Sequence, residues 1–200
     1  GFRKGQITLN CFSYHHTPAG HMMETAAKAI GSAVYPGGVG QSEAQVQAIS
    51  HFGISNFTGT PDFLKVILDK AENLATDISS LERAVVGGGA LFPSMREEYA
   101  ARGVSVMQCY ATAEFGVIAY ESAAEDGTLV PGMVIGEHLI VEIVRPGTGD
   151  PVPDGEVGEL VVTCFNAGYP LVRLGTGDLS AIMPEPSPCG RSGTRIKGWM

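Results

Sequence analysis

Between Ala33 and Met107 short apolar runs alternate with helix-forming stretches, and this alternation constrains the fold more than any other feature. Ala33-Val34-Tyr35-Pro36 reads as a strand ending in the loop Gly37-Gly38-Val39-Gly40, and a helix runs from Ser42 to about Phe52. Ile54-Ser55-Asn56-Phe57 is a second strand. Pro61 opens a long helix through Leu64, Ile67, Leu68 and Ala71, since a fixed φ and a missing N–H suit the first helical turn. Ala84-Val85-Val86, a helix from Pro93 to Arg102, and Val104-Ser105-Val106-Met107 continue the series. Upstream, His21 to Ile30 is a helix pattern rich in Ala and Met. Strands alternating with helices imply a mostly parallel sheet with helices on its faces.

After Tyr120 the character changes. Leu139-Ile140-Val141-Glu142-Ile143-Val144 is β-rich, a turn-rich segment spans Pro146 to Gly158, and Glu159-Leu160-Val161-Val162-Thr163 reads as the partner strand of a hairpin. Further short strands fit Leu171 to Leu174 and Asp178 to Ile182. The expected fold class is therefore α/β, a parallel sheet with flanking helices over residues 1–120, followed by a small antiparallel β subdomain over residues 121–200.

With 44% hydrophobic residues the chain can bury a core. Acidic residues outnumber basic ones, 21 to 13, for a net charge of −8. That argues against a nucleic-acid groove and an anionic membrane surface as partners. It does not argue against ATP, which backbone amides and a few cations can hold. No apolar run reaches the length of a membrane span and no signal peptide is visible, although the first residues read as mid-domain sequence; a cytoplasmic protein is expected, in keeping with reduced thiols. Cys11, Cys109, Cys164 and Cys189 are scattered without a Cys-x-x-Cys pair, which fits reduced thiols rather than a zinc site. His15, His16 and His21 form a weaker metal candidate, and because no paired cysteine or carboxylate completes a ligand set nearby, a polar loop and helix start is the favoured reading.

Chemistry concentrates where apolar runs end. Cys109-Tyr110-Ala111-Thr112-Ala113-Glu114-Phe115-Gly116 follows the run at Met107, so an aromatic, small residues and a carboxylate are expected together at a strand's carboxyl end, the ligand side of open α/β sheets. An aromatic can stack on a base, small residues admit a phosphate to the backbone, and Glu114 offers hard oxygens to Mg²⁺. Small polar strand-to-loop turns have steric reasons too. Asp178, in Leu174-Gly175-Thr176-Gly177-Asp178-Leu179, can accept hydrogen bonds from a ribose diol, although Gly-Asp is also common in plain turns. Gly87-Gly88-Gly89 would let an adenine ring lie on bare backbone, and a tight strand-to-helix turn would use the same glycines. Nothing resembles Gly-x-Gly-x-x-Gly with a downstream acid, which argues against a nicotinamide site.

These motifs resemble those of the adenylate-forming superfamily of acyl-CoA synthetases, adenylation domains and luciferases. Tyr110 to Glu114 is similar to its Tyr-Gly-x-Thr-Glu motif, Gly175-Thr176-Gly177-Asp178 to Arg-Thr-Gly-Asp, and Gly158-Glu159-Leu160 to Gly-Glu-Leu. Within it, phenylacetate–CoA ligases are resembled most, through Thr60-Pro61, Gly87-Gly88-Gly89-Ala90, Ala119-Tyr120-Glu121, Pro151 to Glu156, Pro188-Cys189-Gly190-Arg191 and Arg195-Ile196-Lys197-Gly198. The motifs keep the family's order over nearly the whole chain. Three positions depart from it: Ala111 stands for the usual glycine, Ala113 for the hydroxyl residue before glutamate, and Gly175 for arginine, with Arg173 two residues upstream.

The resemblance implies an ATP-dependent ligase that activates an aryl or arylacetic acid as its adenylate and transfers it to CoA, with ATP, Mg²⁺ and CoA as cofactors. It implies nucleotide contacts from Gly87, Gly88, Gly89, Ala90, Cys109, Tyr110, Ala111, Thr112, Asp178 and Arg191. Acid contacts would come from Tyr14, His15, Tyr110 and Gly116, the first two in Phe12-Ser13-Tyr14-His15-His16, which resembles the family's aromatic pocket segment. Glu114 and Thr112 would be catalytic, Glu114 holding Mg²⁺ on ATP. The expected partners are a small carboxylic acid, ATP and CoA, with no nucleic acid or membrane and with a homodimer admitted. The family's phosphate loop would lie upstream and its catalytic lysine downstream, so an internal piece of a longer ligase is expected, inactive alone. An enzyme loading a carrier protein and a non-catalytic nucleotide-binding module stand as alternatives.

Overall fold

The computed structural model describes residues 1–198. Two compact units divide the chain, Gly1–Gln108 and Cys109 onward. The first contains β1 (Ile7–Asn10), α1 (Ala19–Ala29), β2 (Ala33–Tyr35), α2 (Ser42–Phe52), β3 (Asn56–Gly59), α3 (Pro61–Asn73), β4 (Arg83–Val86), α4 (Pro93–Ala101) and the opening residues of β5 (Ser105–Thr112). Its strands are all parallel, in the order β2-β1-β3-β4-β5. The expected mostly parallel sheet with flanking helices is thus present.

Local sequence explains the elements. In α3, Pro61 occupies the first turn and the Thr60 hydroxyl accepts from Phe63 N at 3.3 Å. Such a cap contributes about 1 kcal/mol. The face carrying Leu64, Ile67, Leu68 and Ala71 is buried. α2 stops at Gly53, whose φ of 61° is the left-handed cap that glycine takes without cost. The expected strand at Ile54–Phe57 begins two residues later, because the Ile54 N–H still bonds to Ile49 O and closes the helix.

Strand alternation then sorts the sheet's faces. Leu9, Phe57, Ala84 and Val106 join the apolar core with α2, α3 and α4. The alternate positions Thr8, Asn10, Asn56 and Thr58 are buried and polar. Thr8 bonds to Ser32 at 2.8 Å, and Asn56 Nδ2 donates to Gln6 Oε1 at 3.2 Å.

The second unit is antiparallel. The last residues of β5 pair with β6 (Gly116–Ala123), followed by β7 (Leu129–Ile135), β8 (Leu139–Val144), β9 (Gly158–Cys164), β10 (Leu171–Ser180), β11 (Ile182–Met183) and β12 (Arg195–Ile196). One ladder runs β5-β6-β7-β12-β11, and β8, β9 and β10 form a separate three-stranded sheet. Phe115, Ile118, Met133, Leu139, Leu160, Val162 and Ile196 form the core.

Two expectations change. Cys109 to Thr112 lie inside β5, not in a loop beyond it, because Val117 to Tyr120 supply an antiparallel partner strand. The two strands expected around Gly175 are one long bulged strand, since glycine absorbs the positive φ of 78° at Gly177 without breaking the ladder. Among the described residues no helix is long and apolar enough to cross a membrane.

Candidate functional site

The second unit brings Tyr110 and Asp178 together. The half-buried Tyr110 phenol donates to Asp178 Oδ2 at 2.6 Å. Burial raises the phenol's pKa above its ordinary value, and the Asp178 carboxylate raises it further, so the donor keeps its proton. Asp178 is set by the bulge around it. Thr176 Oγ1 donates to Leu160 O at 2.9 Å and accepts from Asp178 N at 3.2 Å. Gly177 N donates to Glu159 Oε1 at 3.3 Å.

Tyr110 and Asp178 line a pocket of about 220 Å³ with Met133, Leu160, Ile196 and Lys197. Its far wall is tied down where buried Ser180 donates to Lys197 O at 2.8 Å. Drug-sized sites begin at about 300 Å³, so this pocket suits one part of a larger ligand. Its mixed lining, an apolar floor with a carboxylate and a phenol, suits a flat polar-edged group.

Glu114 occupies the β5–β6 turn. The Thr112 hydroxyl accepts from Phe115 N at 3.3 Å, Phe115 is buried at 8% exposure, and Gly116 takes φ 75°. The turn is anchored from below, and Ala113 and Glu114 are exposed on it. Thr112 and Ala111 are half-buried strand residues. Cys109 is a core side chain whose thiol burial pushes up to about 11. The Arg191 guanidinium stands over the Tyr120 ring at 5.9 Å from its centroid. Beside it, Cys189 Sγ meets Ser187 Oγ at 2.9 Å and Ser122 Oγ at 3.4 Å.

The first unit holds the remaining candidates. β4 ends at Val86, and Gly87 N donates to Gly59 O at 3.2 Å. Gly88 has φ 69°, and Gly89 O accepts from Gln108 Nε2 at 3.3 Å. A Cβ added at Gly88 would lie 3.8 Å from Phe12 and 3.9 Å from Thr60, so backbone conformation rather than crowding calls for glycine there. Ala90 continues the loop toward α4. Phe12 thus flanks the triglycine loop.

Tyr14 takes a hydrogen bond on its hydroxyl from Asn10 Nδ2 at 2.8 Å and packs edge-on to His21 at 5.1 Å. Burial and the neighbouring Glu24 raise its phenol to about 12. His15 is exposed.

Sequence reasoning missed Asn10, which also donates to Gly20 O at 2.8 Å and accepts from Phe12 N at 3.1 Å, tying the start of the β1–α1 loop to the first turn of α1. An asparagine in the buried alternation Thr8-Leu9-Asn10 was the available signal. Among the described residues no three His, Cys, Asp or Glu side chains gather into a metal site.

Several known proteins resemble this chain. The profile of the AMP-binding enzyme family matches residues 2–165. The chain is 30% identical over 201 residues to the phenylacetate-coenzyme A ligase of Thermus thermophilus, covering 98% of this chain and 45% of that protein. It is 33% identical over 178 residues to the Escherichia coli phenylacetate-coenzyme A ligase, covering 86% of this chain and 40% of that one. It superimposes on a 2-hydroxyisobutyryl-CoA ligase, solved in complex with 2-HIB-AMP and CoA, with a TM-score of 0.86 at 23% identity, covering 100% of this chain and 44% of that one. The chain therefore spans less than half the length of these proteins. On the family match over most of its residues, the chain belongs to the AMP-binding enzymes.

Proposed function

We propose that the protein is an AMP-forming acid–CoA ligase acting on an aryl or arylacetic acid. A carboxylate oxygen of the acid attacks the α-phosphorus of ATP, the bond to pyrophosphate breaks, and an acyl-adenylate forms. The CoA thiolate then attacks the acyl carbon and AMP leaves. The observation that carries the reading is the Tyr110–Asp178 pair in the lining of a small pocket of mixed polar and apolar character. A carboxylate already oriented by a phenol can take the two hydroxyls of a ribose with its remaining lone pairs. The relatives named phenylacetate-coenzyme A ligase support the choice of acid.

In the second unit Tyr110 and Asp178 serve the nucleoside, Ala111 and Thr112 approach the phosphates, and Arg191 adds a cation. Glu114 is a hard-oxygen ligand on a fixed turn, which fits Mg²⁺ shared with ATP phosphates. Mg²⁺ there would neutralise charge as the α-phosphorus gains its fifth oxygen. In the first unit the bare backbone of Gly87 to Gly89 offers a flat surface to the base, and Tyr14 and His15 serve the acid.

The protein at its natural length, given ATP, Mg²⁺, CoA and phenylacetate, should release AMP and pyrophosphate and form phenylacetyl-CoA. Absence of pyrophosphate release across a panel of aryl and arylacetic acids refutes adenylation. Release without thioester formation on CoA refutes the acceptor.

A further inference from the structure

The ladder between β9 and β10 has an unusual gap. Gly175 pairs with Val161 and Leu179 with Glu159, so Thr176, Gly177 and Asp178 together face only Leu160. Extra residues in a strand leave main-chain groups without ladder partners, free to bond to side chains or water instead. Two side chains do so. Thr176 Oγ1 ties the start of the bulge to Leu160 O and also accepts from Asp178 N. Glu159 Oε1 accepts from the N–H of Gly177, the residue immediately before Asp178.

Glu159 reaches that N–H through space that a side chain at position 175 would fill. A Cβ added at Gly175 would stand 2.5 Å from Glu159 Oε1, so the carboxylate would have to swing away from its place. Position 175 is where this chain departs from the Arg-Thr-Gly-Asp pattern its motif resembles. Arg173 does not fill the gap: it pairs with Glu142 at 3.0 Å and donates to Gly149 O at 2.8 Å. The missing side chain at 175 and the reach of Glu159 to the Gly177 amide are thus two halves of one arrangement.

We infer that Glu159 is a positioning residue for Asp178, and that Gly175 is the residue that admits it. The carboxylate holds the Gly177 amide, whose left-handed φ of 78° turns the chain so that Asp178 meets Tyr110 at the pocket. A fixed amide on one side and the Thr176 hydroxyl on the other leave the Asp178 side chain pre-set before ligand arrives. Pre-setting a group lowers the entropy lost on binding. The inference rests on the reading of Asp178 as the ribose ligand.

The test compares AMP with 2′,3′-dideoxy-AMP by calorimetry on the protein at its natural length, with thermal unfolding run in parallel. The wild type should prefer AMP by roughly tenfold or more, the scale of hydrogen bonds to a charged group. Glu159→Ala should shrink that preference severalfold while leaving dideoxy-AMP affinity unchanged. Gly175→Ala, which adds only the methyl that collides with the carboxylate, should do the same. Glu159→Gln keeps an acceptor oxygen and should retain the preference.

A full preference in Gly175→Ala overturns the inference, even if Glu159→Ala fails to fold. Equal loss of both nucleotides in the two alanine variants also overturns it, because that marks general damage. Loss of preference in Asp178→Ala alone leaves the ribose reading standing while the role of Glu159 falls. A wild type without preference removes the ribose reading, and the inference with it.

Discussion

Tyr110 and Asp178 are 68 residues apart in sequence, and their oxygens lie 2.6 Å apart. The bond joins β5 to the bulged strand β10, so it is both a packing contact of the second unit and an orienting contact for the carboxylate. Tyr110→Phe separates these roles, since the ring remains and the donor goes. It should cost about 1.5 kcal/mol, the low end for a hydrogen bond to a charged group. Because the folded phenol's pKa is raised, its contribution is complete below the ordinary tyrosine value near pH 10 and is lost as pH climbs above it. Denaturant titrations at pH 8 and above pH 10 check this: the wild-type advantage over Tyr110→Phe should shrink at the higher pH. A gap that widens there contradicts the bond.

Gly88 allows a second separation. At φ 69° with no atom closer than 3.8 Å to an added Cβ, alanine there should meet backbone strain but no clash. The cost should be about 1–2 kcal/mol of stability in urea unfolding. If the triglycine backbone is the surface on which the base lies, the added methyl also obstructs it, and AMP affinity should fall by roughly tenfold or more at temperatures where the variant is fully folded. Unchanged affinity in the folded variant assigns the glycines to the turn alone.

How far sequence reached depends on which physical signal carried each element. α3 was legible because Pro61, the Thr60 cap and the Leu64-Ile67-Leu68-Ala71 face all point to the same helix. β8 and β9 were legible because Val, Ile and Leu crowd them. β6 and β7 were not read, since β6 carries Ala, Glu and Ser, and β7 contains Pro131 and Gly132. Each pairs with an antiparallel neighbour across a short turn, and the stability that pairing supplies is not reported by a strand's own local pattern. Asp178 and Glu159 both lie in motifs, but a site role was legible only for Asp178, and the contact of Glu159 with the amide before it was not. The difference is that a side chain's ligand type is written in its chemistry, and its reach across a bulge is not.

Cys189 gives a prediction independent of the nucleotide. The hydroxyls of Ser122 and Ser187 and the main-chain N–H of Arg191 favour its thiolate and hold the thiol down to about 7. Burial pushes Cys109 up to about 11 and moves Cys11 upward further still. Iodoacetamide labelling followed by peptide mass spectrometry at pH 7 should therefore modify Cys189 faster than Cys109 by about 100-fold or more, because the thiolate is the nucleophile. The Cys189 rate should rise through pH 7 and level off above pH 8. Ser122→Ala should move that rise upward, toward the ordinary cysteine value of about 8.5. A Cys189 rate still climbing steeply at pH 9 in the wild type contradicts the hydroxyl contacts.

The mechanism leans most on Glu114. Its turn is anchored by buried Phe115 and by the Thr112 hydroxyl, so the fold holds the turn that carries the exposed carboxylate. Glu114→Gln keeps size and an oxygen and removes the charge. As an exposed turn position it should change unfolding by less than about 0.5 kcal/mol, the usual range for surface sites. If the carboxylate holds Mg²⁺ against the ATP phosphates, pyrophosphate exchange at low Mg²⁺ should nonetheless fall by roughly 100-fold, as one well-placed electrostatic stabiliser is worth. Raised Mg²⁺ should restore part of the rate, because weaker binding is offset by concentration. A solvated glutamate with no role predicts neither the fall nor the rescue. Near-wild-type exchange by Glu114→Gln across the whole Mg²⁺ series assigns it to that class and moves the metal ligand elsewhere in the protein.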